Sequence, residues 1–188
     1  LVEEDAWWPT IESLGPRVRV FDEGTNAAGK TLRSVEVSYP TASSGIDRRP
    51  VILIVAQQHG GEAAGREAIF QLCREWATTT DPEVIAWLSV YRVVCLPTCN
   101  PDGLPIPGNA SGSYENANGV NINRDHYALT QAEARLIQRK ITRYNPVVVI
   151  DSHEKGQPLD DTPLVLQMGF RGPTHPAVSP AVAQLSEQ

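Results

Sequence analysis

Two histidines and one glutamate have the side chains and the setting of a metal site. His59 and Glu62 lie three residues apart in the stretch HGGE, and His153 lies in the later stretch DSHE. Two imidazoles and a carboxylate around an open fourth position are typical of catalytic zinc, whereas structural zinc is usually enclosed by cysteines. The order also differs from HExxH, in which both histidines lie on one helix. These three residues therefore predict a catalytic metal centre.

Each of these residues has a simpler explanation when it is considered alone. A histidine at the end of a strand is more often a hydrogen-bonded structural residue than a ligand. Glu62 is suited to the start of a helix, where the macrodipole favours a carboxylate. Asp151 and Ser152, directly before His153, are residue types that cap helices. The metal interpretation is favoured because the two histidines follow two separate apolar stretches.

Short apolar stretches predict the strands that hold these residues. VILIVA (51–56) is uniformly apolar, which is typical of a strand covered on both faces, and we interpret VVVI (147–150) as buried in the same way. Residues 90–96 predict a further strand. Sites in open α/β sheets form beyond the carboxyl ends of the strands. We therefore expect the ligands at one sheet edge. Gly60 and Gly61 are expected to let the chain fold back there, so that both ligands face one ion.

The remaining patterns predict a hairpin and helices around these strands. Loose alternation over residues 17–39 predicts a β-hairpin, and residues 64–76 carry an apolar stripe at helical spacing. Asp81 before a proline indicates a helix start, and Thr130 with Glu133 forms a capping box that opens another helix. The Pro- and Gly-rich stretch after the strand at 90–96 predicts a long ordered loop. Alternating strands and helices predict an α/β fold with a largely parallel sheet.

The overall charge restricts the class of partner. The chain has 188 residues, enough for one domain with a continuous core, and its formal net charge is -6, from 22 acidic and 16 basic residues. This balance argues against nucleic-acid or anionic-membrane partners, which require a basic surface. No apolar stretch approaches the roughly 20 residues of a membrane span.

The cysteines are too few for a disulfide framework. Cys95 and Cys99 could pair, but we favour buried thiols because Cys95 closes an apolar run and Cys73 lies on an apolar helical face. The sequence leaves the compartment open, with a secreted or periplasmic location favoured over the cytoplasm.

Four motifs in order give the chain a family resemblance. They are HGGE at 59–62, NPDG at 100–103, GVNINRD at 119–125 and DSHE at 151–154. In these motifs the chain resembles the M14 family of zinc carboxypeptidases, over roughly residues 17–155. The resemblance implies a three-layer sandwich, in which helices flank a mixed, largely parallel central sheet.

The resemblance also implies roles for five residues. His59, Glu62 and His153 would bind one zinc ion, while Asn123 and Arg124 would hold the terminal carboxylate of the substrate. A guanidinium suits that task because it offers a planar, bidentate and permanently charged partner. The implied activity is hydrolysis of a C-terminal peptide bond, or a related amide bond, in a substrate with a free carboxylate.

Two departures from the family pattern concern the surroundings of the zinc ligands. The family usually has an aspartate two residues before its Asn-Arg pair, supporting the first zinc histidine, and here that residue is Asn121. Asp151 is expected to play a similar supporting part. Loss of such support typically costs ~10–100-fold in metal affinity or activity. The family also has an upstream arginine that polarises the substrate carbonyl, where this chain has Tyr114 and Glu115.

The third departure concerns the general base. The family's base and its substrate-capping tyrosine lie well downstream of the third ligand, and no residue of 155–188 fits that context. Glu154 is the alternative base, although neighbours on an extended chain point in opposite directions. We therefore expect residues 1–188 to form one truncated domain, corresponding to the N-terminal two-thirds of the family's catalytic domain. Two other functions stay open: an amidohydrolase acting on N-acyl amino acids or cell-wall peptides, and a non-catalytic zinc- or peptide-binding module.

Overall fold

The computed structural model describes residues 7–39 and 47–154 of the chain. These residues belong to one compact unit, Leu1–Glu154. A single domain over 1–188 stays a prediction. Within the described ranges no helix has both the length and the apolar character that crossing a bilayer requires. The helices are α1 (Trp7–Glu12), α2 (Ala64–Thr78), α3 (Pro82–Val90) and α4 (Ala132–Tyr144), and the strands are β1 (Val18–Thr25), β2 (Thr31–Val37), β3 (Val51–Ala56), β4 (Arg92–Leu96) and β5 (Val148–Ser152).

The strands form one mixed sheet in the order β1-β2-β4-β3-β5. β1 and β2 form the predicted hairpin, and β2 also pairs antiparallel with β4. β3 lies between β4 and β5 and pairs parallel with both. The mixed sheet and the hairpin are confirmed, and the parallel half of the sheet contains all three strands that precede the predicted site.

Helices cover both faces of the sheet, which confirms the three-layer arrangement. On one face, side chains of α1, α2 and α3 pack against β2 and β4, and on the other face α4 packs against β3 and β4. Alternation along β4 divides its side chains between the two cores, because successive residues of a strand point to opposite faces. The first core contains Trp8, Ile11, Phe70, Cys73, Leu88, Val35, Val37, Val93 and Cys95, and the second contains Leu53, Val55, Val94, Leu96, Leu136 and Ile137.

The last strand is less buried than its sequence indicates. Residues 147–150 were expected to be covered on both faces, yet Val147 is 60% exposed and Val148, Val149 and Ile150 are 46–47% exposed. Among the described residues β5 pairs only with β3, so it is an edge strand there. An apolar run indicates that its side chains favour burial. It does not indicate whether neighbouring elements cover them. The prediction of a buried strand is therefore wrong for the described residues.

The start of α4 also differs from the prediction. Thr130 and Glu133 form no capping box: the N-cap position is Gln131, without a side-chain cap. Asp125 binds this end instead, because its carboxylate accepts hydrogen bonds from the Thr130 hydroxyl and the Gln131 backbone N–H, both at 2.7 Å. Glu133 is 2% exposed and accepts hydrogen bonds from Asn116. A carboxylate six residues upstream thus supplies the acceptor that the local motif was expected to provide.

All three cysteines are buried, and Cys73 and Cys95 are free thiols, as favoured from the sequence. Burial raises the pKa of the Cys73 thiol to about 12. A thiol that stays protonated at neutral pH is a poor nucleophile and a poor metal ligand. The cysteines therefore act as small apolar residues of the core.

Candidate metal centre

The parallel strands β3 and β5 bring the predicted ligands to the same sheet edge. The two strands are hydrogen-bonded neighbours, and Ala56 at the end of β3 lies opposite Ser152 at the end of β5. His59 follows the first strand by three residues, and His153 follows the second directly. Residues after the carboxyl ends of adjacent parallel strands must emerge side by side. The topology therefore explains how residues 94 positions apart in sequence meet.

The two histidines contact the same carboxylate. Nδ1 of His59 lies 2.8 Å from Oε1 of Glu62, and Nδ1 of His153 lies 2.7 Å from Oε2. The two imidazole rings are 4.9 Å apart, centre to centre. One ligand atom from each residue lies within 4.8 Å of the others. The structure thus brings His59, Glu62 and His153 together with like nitrogens directed at one carboxylate.

This donor set fits a zinc ion. Zinc binds imidazole nitrogens at about 2.0–2.1 Å and carboxylate oxygens at about 2.0–2.2 Å, with three protein ligands in catalytic sites. His59 and Glu62 are mostly buried, whereas His153 is open to solvent. A cation bound by both Nδ1 atoms and Glu62 would keep one side open for a substrate.

The electrostatics of the centre favour positive charge. Hydrogen bonds to Asp151 and Glu62 raise the pKa of His153 to about 10. Burial tends to raise the pKa of Glu62, but its hydrogen bonds to His153 and His59 outweigh burial and the pKa is lowered. The pKa of Asp151 is lowered in the same way, against burial, by His153 and Gln58. Two carboxylates therefore face one imidazole, and a protonated His153 supplies the charge that a metal ion would bring.

The glycines of HGGE provide space and not a special backbone conformation. Neither Gly60 nor Gly61 has a positive φ, and the left-handed residue of this turn is Gln57, with φ 50°. A Cβ on Gly60 would lie 2.0 Å from the carbonyl carbon of Gly103, and one on Gly61 would lie 2.1 Å from the Ser111 oxygen. The expected reason for the glycines is thus corrected: they let the NPDG loop pack directly onto the HGGE turn.

The loop between β4 and α4 places an aromatic ring on the first histidine. Ser113 binds both neighbouring segments, since its carbonyl accepts from the Gly60 N–H and its N–H donates to the Gly103 carbonyl, each at 2.8 Å. The next residue, Tyr114, has its ring centre 4.5 Å from that of His59 and is 59% exposed. The stretch in which the resemblance expects an arginine therefore presents a tyrosine beside His59.

Asn123 and Arg124 lie in a single 3-10 turn, Ile122–Arg124, next to the centre. Nδ2 of Asn123 is 3.3 Å from Nε2 of His153. Arg124 is exposed, and one of its guanidinium nitrogens donates to the Asn123 carbonyl at 3.0 Å. Within the described ranges its guanidinium forms no ion pair, so the remaining N–H groups can bind an anion.

The two residues expected to support the histidines differ in their contacts. Oδ2 of Asp151 is 3.2 Å from Nε2 of His153, as support for that ligand requires. Asn121 instead caps the 3-10 turn, accepting from the Asn123 N–H at 3.0 Å. Nε2 of His59 is buried and has no hydrogen-bond partner among the described residues. Asp151 therefore supports the Nε2 side of His153, whereas no described residue forms a hydrogen bond with Nε2 of His59.

Glu154 lies at a helix N-terminus. Its carboxylate accepts a hydrogen bond from the backbone N–H of Ala64, the first residue of α2. The preceding residue, Ala63, has no side chain that could cap the helix. A carboxylate is stabilised at this position by the unpaired N–H groups and the helix dipole. Glu154 therefore caps α2 from the end of β5.

Two residues at the centre were not predicted from the sequence. Nε2 of Gln58 donates to both carboxylate oxygens of Asp151, at 2.9 Å each, and Oε1 of Gln58 lies 2.8 Å from Nε2 of His126. The only signals in the sequence were a polar pair directly after an apolar strand and a histidine directly after GVNINRD. Neither pattern distinguishes a contact at the centre from an ordinary surface residue.

Comparison with known proteins agrees with this geometry. Residues 5–157 match the family model for zinc carboxypeptidases, Peptidase_M14. The catalytic chain of carboxypeptidase N from Rattus norvegicus is 31% identical over 119 residues, which cover 57% of this chain and 25% of that protein. Carboxypeptidase Z from Homo sapiens is 24% identical over 160 residues, covering 79% of this chain and 24% of that protein. The chain thus spans about a quarter of the length of these relatives.

Solved structures share the fold. A metallo-carboxypeptidase from Burkholderia cenocepacia superposes with a TM-score of 0.66 at 21% identity, covering 80% of this chain and 39% of the other. Carboxypeptidase A from Helicoverpa armigera gives a TM-score of 0.65 at 18% identity, covering 81% and 44%. The family match covers most of the chain, including His59, Glu62 and His153. The chain therefore belongs to the zinc carboxypeptidase family.

Proposed function

We propose that this protein hydrolyses C-terminal peptide bonds with zinc held by His59, Glu62 and His153. The observation that carries the proposal is the pair of imidazole Nδ1 atoms at 2.8 and 2.7 Å from the two oxygens of one carboxylate. Three converging ligands with an open side are the arrangement of a catalytic zinc site. The names of the relatives, all carboxypeptidases, support the same class of reaction.

Some of these residues would supply charge to hold the metal ion, and others would orient the substrate. Bound zinc acts as a Lewis acid that polarises a carbonyl and activates water near neutral pH. Glu62 would contribute the negative charge that retains the cation. Asn123 lies against His153, and Arg124 follows it with N–H groups that bind no other described residue, so a terminal carboxylate bound there would lie beside the centre. Holding the substrate in this way converts binding energy into orientation of the reacting bond.

The proposal predicts stoichiometric zinc and a requirement for the substrate carboxylate. Elemental analysis of the purified protein should give one zinc per chain, and Glu62→Ala should lose it. Peptides with free C-termini should be cleaved, and their amidated counterparts should not. Purified protein without zinc would contradict the proposed zinc site. Equal cleavage of both kinds of peptide would contradict the proposed recognition of the terminal carboxylate.

Arg124 provides the sharper test of substrate recognition. Arg124→Gln should raise KM for free-carboxylate peptides about 10- to 100-fold, the effect of losing a hydrogen bond to a charged group, with zinc content unchanged. Arg143→Gln is the matched control, because Arg143 is an exposed arginine on α4 that contacts Tyr144. Similar KM values for the two variants would show that Arg124 does not bind the substrate carboxylate.

A non-catalytic zinc- or peptide-binding module is the second candidate, and one observation favours it. Two other carboxylates near the centre in the described part of the chain are already engaged, Asp151 by Gln58 and His153, and Glu154 by the N-terminus of α2. Neither is free to move a proton at the substrate, and the predictions made for residues 155–188 lie outside the described residues. Zinc and peptide binding without turnover would support the module. Turnover of N-acyl amino acids or cell-wall peptides, but not of ordinary peptides, would support the amidohydrolase alternative.

A further inference from the structure

We infer that Gln58 is a positioning residue of the metal centre: it holds Asp151 behind His153 and is itself held by His126. The inference rests on the proposed function in so far as His153 is taken as a zinc ligand. We call the connected side chains of His126, Gln58 and Asp151 the Gln58 bridge.

The contacts of Gln58 use both ends of its amide. The residue is 1% exposed, its Nε2 donates to both oxygens of Asp151 at 2.9 Å, and its Oε1 lies 2.8 Å from Nε2 of His126. An ionised carboxylate only accepts hydrogen bonds, so the NH₂ group of Gln58 must face Asp151. The amide oxygen then faces His126, which must donate from Nε2. The orientation of every group in the bridge is therefore determined by its neighbours.

The bridge also selects the nitrogen of His153 that faces the metal. Asp151 accepts from Nε2 of His153 at 3.2 Å, which leaves Nδ1 directed at Glu62. A metal-binding histidine commonly donates its other N–H to a carboxylate, which fixes the ring and its tautomer. That carboxylate must itself be held, and Asp151 is an exposed residue of β5, which among the described residues is an edge strand. Gln58 supplies the restraint from the segment directly after β3 without adding charge.

The Gln58 bridge joins three separate segments of the site. Gln58 follows β3, Asp151 lies at the end of β5, and His126 follows the turn that carries Asn123 and Arg124. His126 is exposed and is anchored by its contact with Gln58. The bridge therefore sets the position of the proposed carboxylate-binding turn relative to His153, in addition to holding Asp151.

The test is zinc affinity of the intact protein, measured by competition with a chromophoric chelator, together with the visible spectrum of the Co²⁺-substituted protein. Gln58→Met keeps the length of the side chain and removes the hydrogen bonds. It should weaken zinc binding about tenfold, the lower end of the effect of losing an outer partner, and should change the Co²⁺ spectrum. Gln71→Met is the matched control, because Gln71 is an exposed glutamine on α2 whose amide binds Glu75.

His126 keeps the inference testable if Gln58→Met fails to fold. His126→Phe changes an exposed residue and should weaken zinc binding in the same direction by a smaller factor, whereas His126→Gln retains an N–H donor and should stay closer to the parent. Zinc affinities and Co²⁺ spectra of folded Gln58→Met and His126→Phe that equal those of the parent would overturn the inference. A parent that binds zinc but hydrolyses no peptide would overturn the proposed function, and the affinity ratios would still decide this inference.

Discussion

At the scale of single residues, the centre is organised by His153 and the two carboxylates beside it. Glu62 binds Nδ1 of this imidazole and Asp151 lies near Nε2. Both carboxylates hold the ring in its protonated form, which is why its pKa is raised to about 10. A metal ion at Nδ1 must displace that proton, so proton binding and metal binding compete at one atom.

The raised pKa of His153 gives a pH dependence of stability in the metal-free protein. A histidine whose pKa is raised on folding, from 6.5 to about 10, stabilises the folded state fully below about pH 6.5 and loses that contribution as the pH rises through about 10. The free energy of unfolding, measured with chelator present, should therefore fall across this window more steeply in the parent than in His153→Gln. Identical slopes for the two proteins would contradict the assignment.

The metal-bound protein should show the opposite trend. Zinc affinity should increase as the pH is raised from 6 to 8, because fewer protons compete for His153. Isothermal titration in buffers of different ionisation enthalpy reports the protons released on binding. Binding without proton release at pH 7 would show that the imidazole is not the displaced acid.

At the scale of elements, the HGGE turn and the NPDG loop are held together by contact between glycines. Gly60 and Gly103 approach so closely that a Cβ on the first would meet backbone atoms of the second at 2.0–2.4 Å. Ser113 fastens the contact through hydrogen bonds to both segments. The loop brings Tyr114 into contact with His59, so the packing of two backbones decides which side chain lies beside this histidine.

Gly60→Ala should therefore lower the free energy of unfolding far more than the addition of one methyl group usually does. Overpacking against backbone typically costs 1–3 kcal/mol and more where nothing can yield, so we expect a loss of at least about 3 kcal/mol of unfolding free energy. Zinc affinity should fall as well, because the loop must move. The control is Gly29→Ala in the β1–β2 turn, where the added Cβ meets nothing and only the strain of φ 79° remains, about 1–2 kcal/mol. Equal losses in the two variants would mean that the contact adjusts.

At the scale of the whole molecule, the sheet formed by residues 7–39 and 47–154 ends in an apolar edge. Val147, Val148, Val149 and Ile150 are each about half exposed, and β5 pairs only with β3 within the described ranges. An apolar strand with unpaired N–H and C=O groups is a template for pairing with another chain. The same strand carries Asp151 at its end, so its pairing also bears on the metal centre.

The exposed side chains and single pairing of β5 among the described residues therefore predict self-association through this strand. Val149→Lys should reduce association, because a charge on an edge strand opposes strand addition, and sedimentation velocity would measure the change. Gln138→Lys adds the same charge on α4 and serves as the control. Equal association of both variants would place the contact elsewhere.

The sequence by itself predicted the residues of the candidate site and the elements that carry them. Residue type and strand periodicity are local properties, so His59, Glu62, His153 and the strands before them could be predicted. The helix at Asp81 was predicted for the same reason, since its N-cap hydrogen bond to Glu83 spans two residues.

Only the tertiary structure decided which groups these elements meet. The partner of Gln58 is 93 residues away, the neighbour of Gly60 is on another loop, and Asp125 replaces the local capping box of α4. Likewise an apolar run predicted β5 but could not report that its faces are half exposed. Contacts between distant segments depend on how the layers pack. A local sequence pattern does not predict that packing.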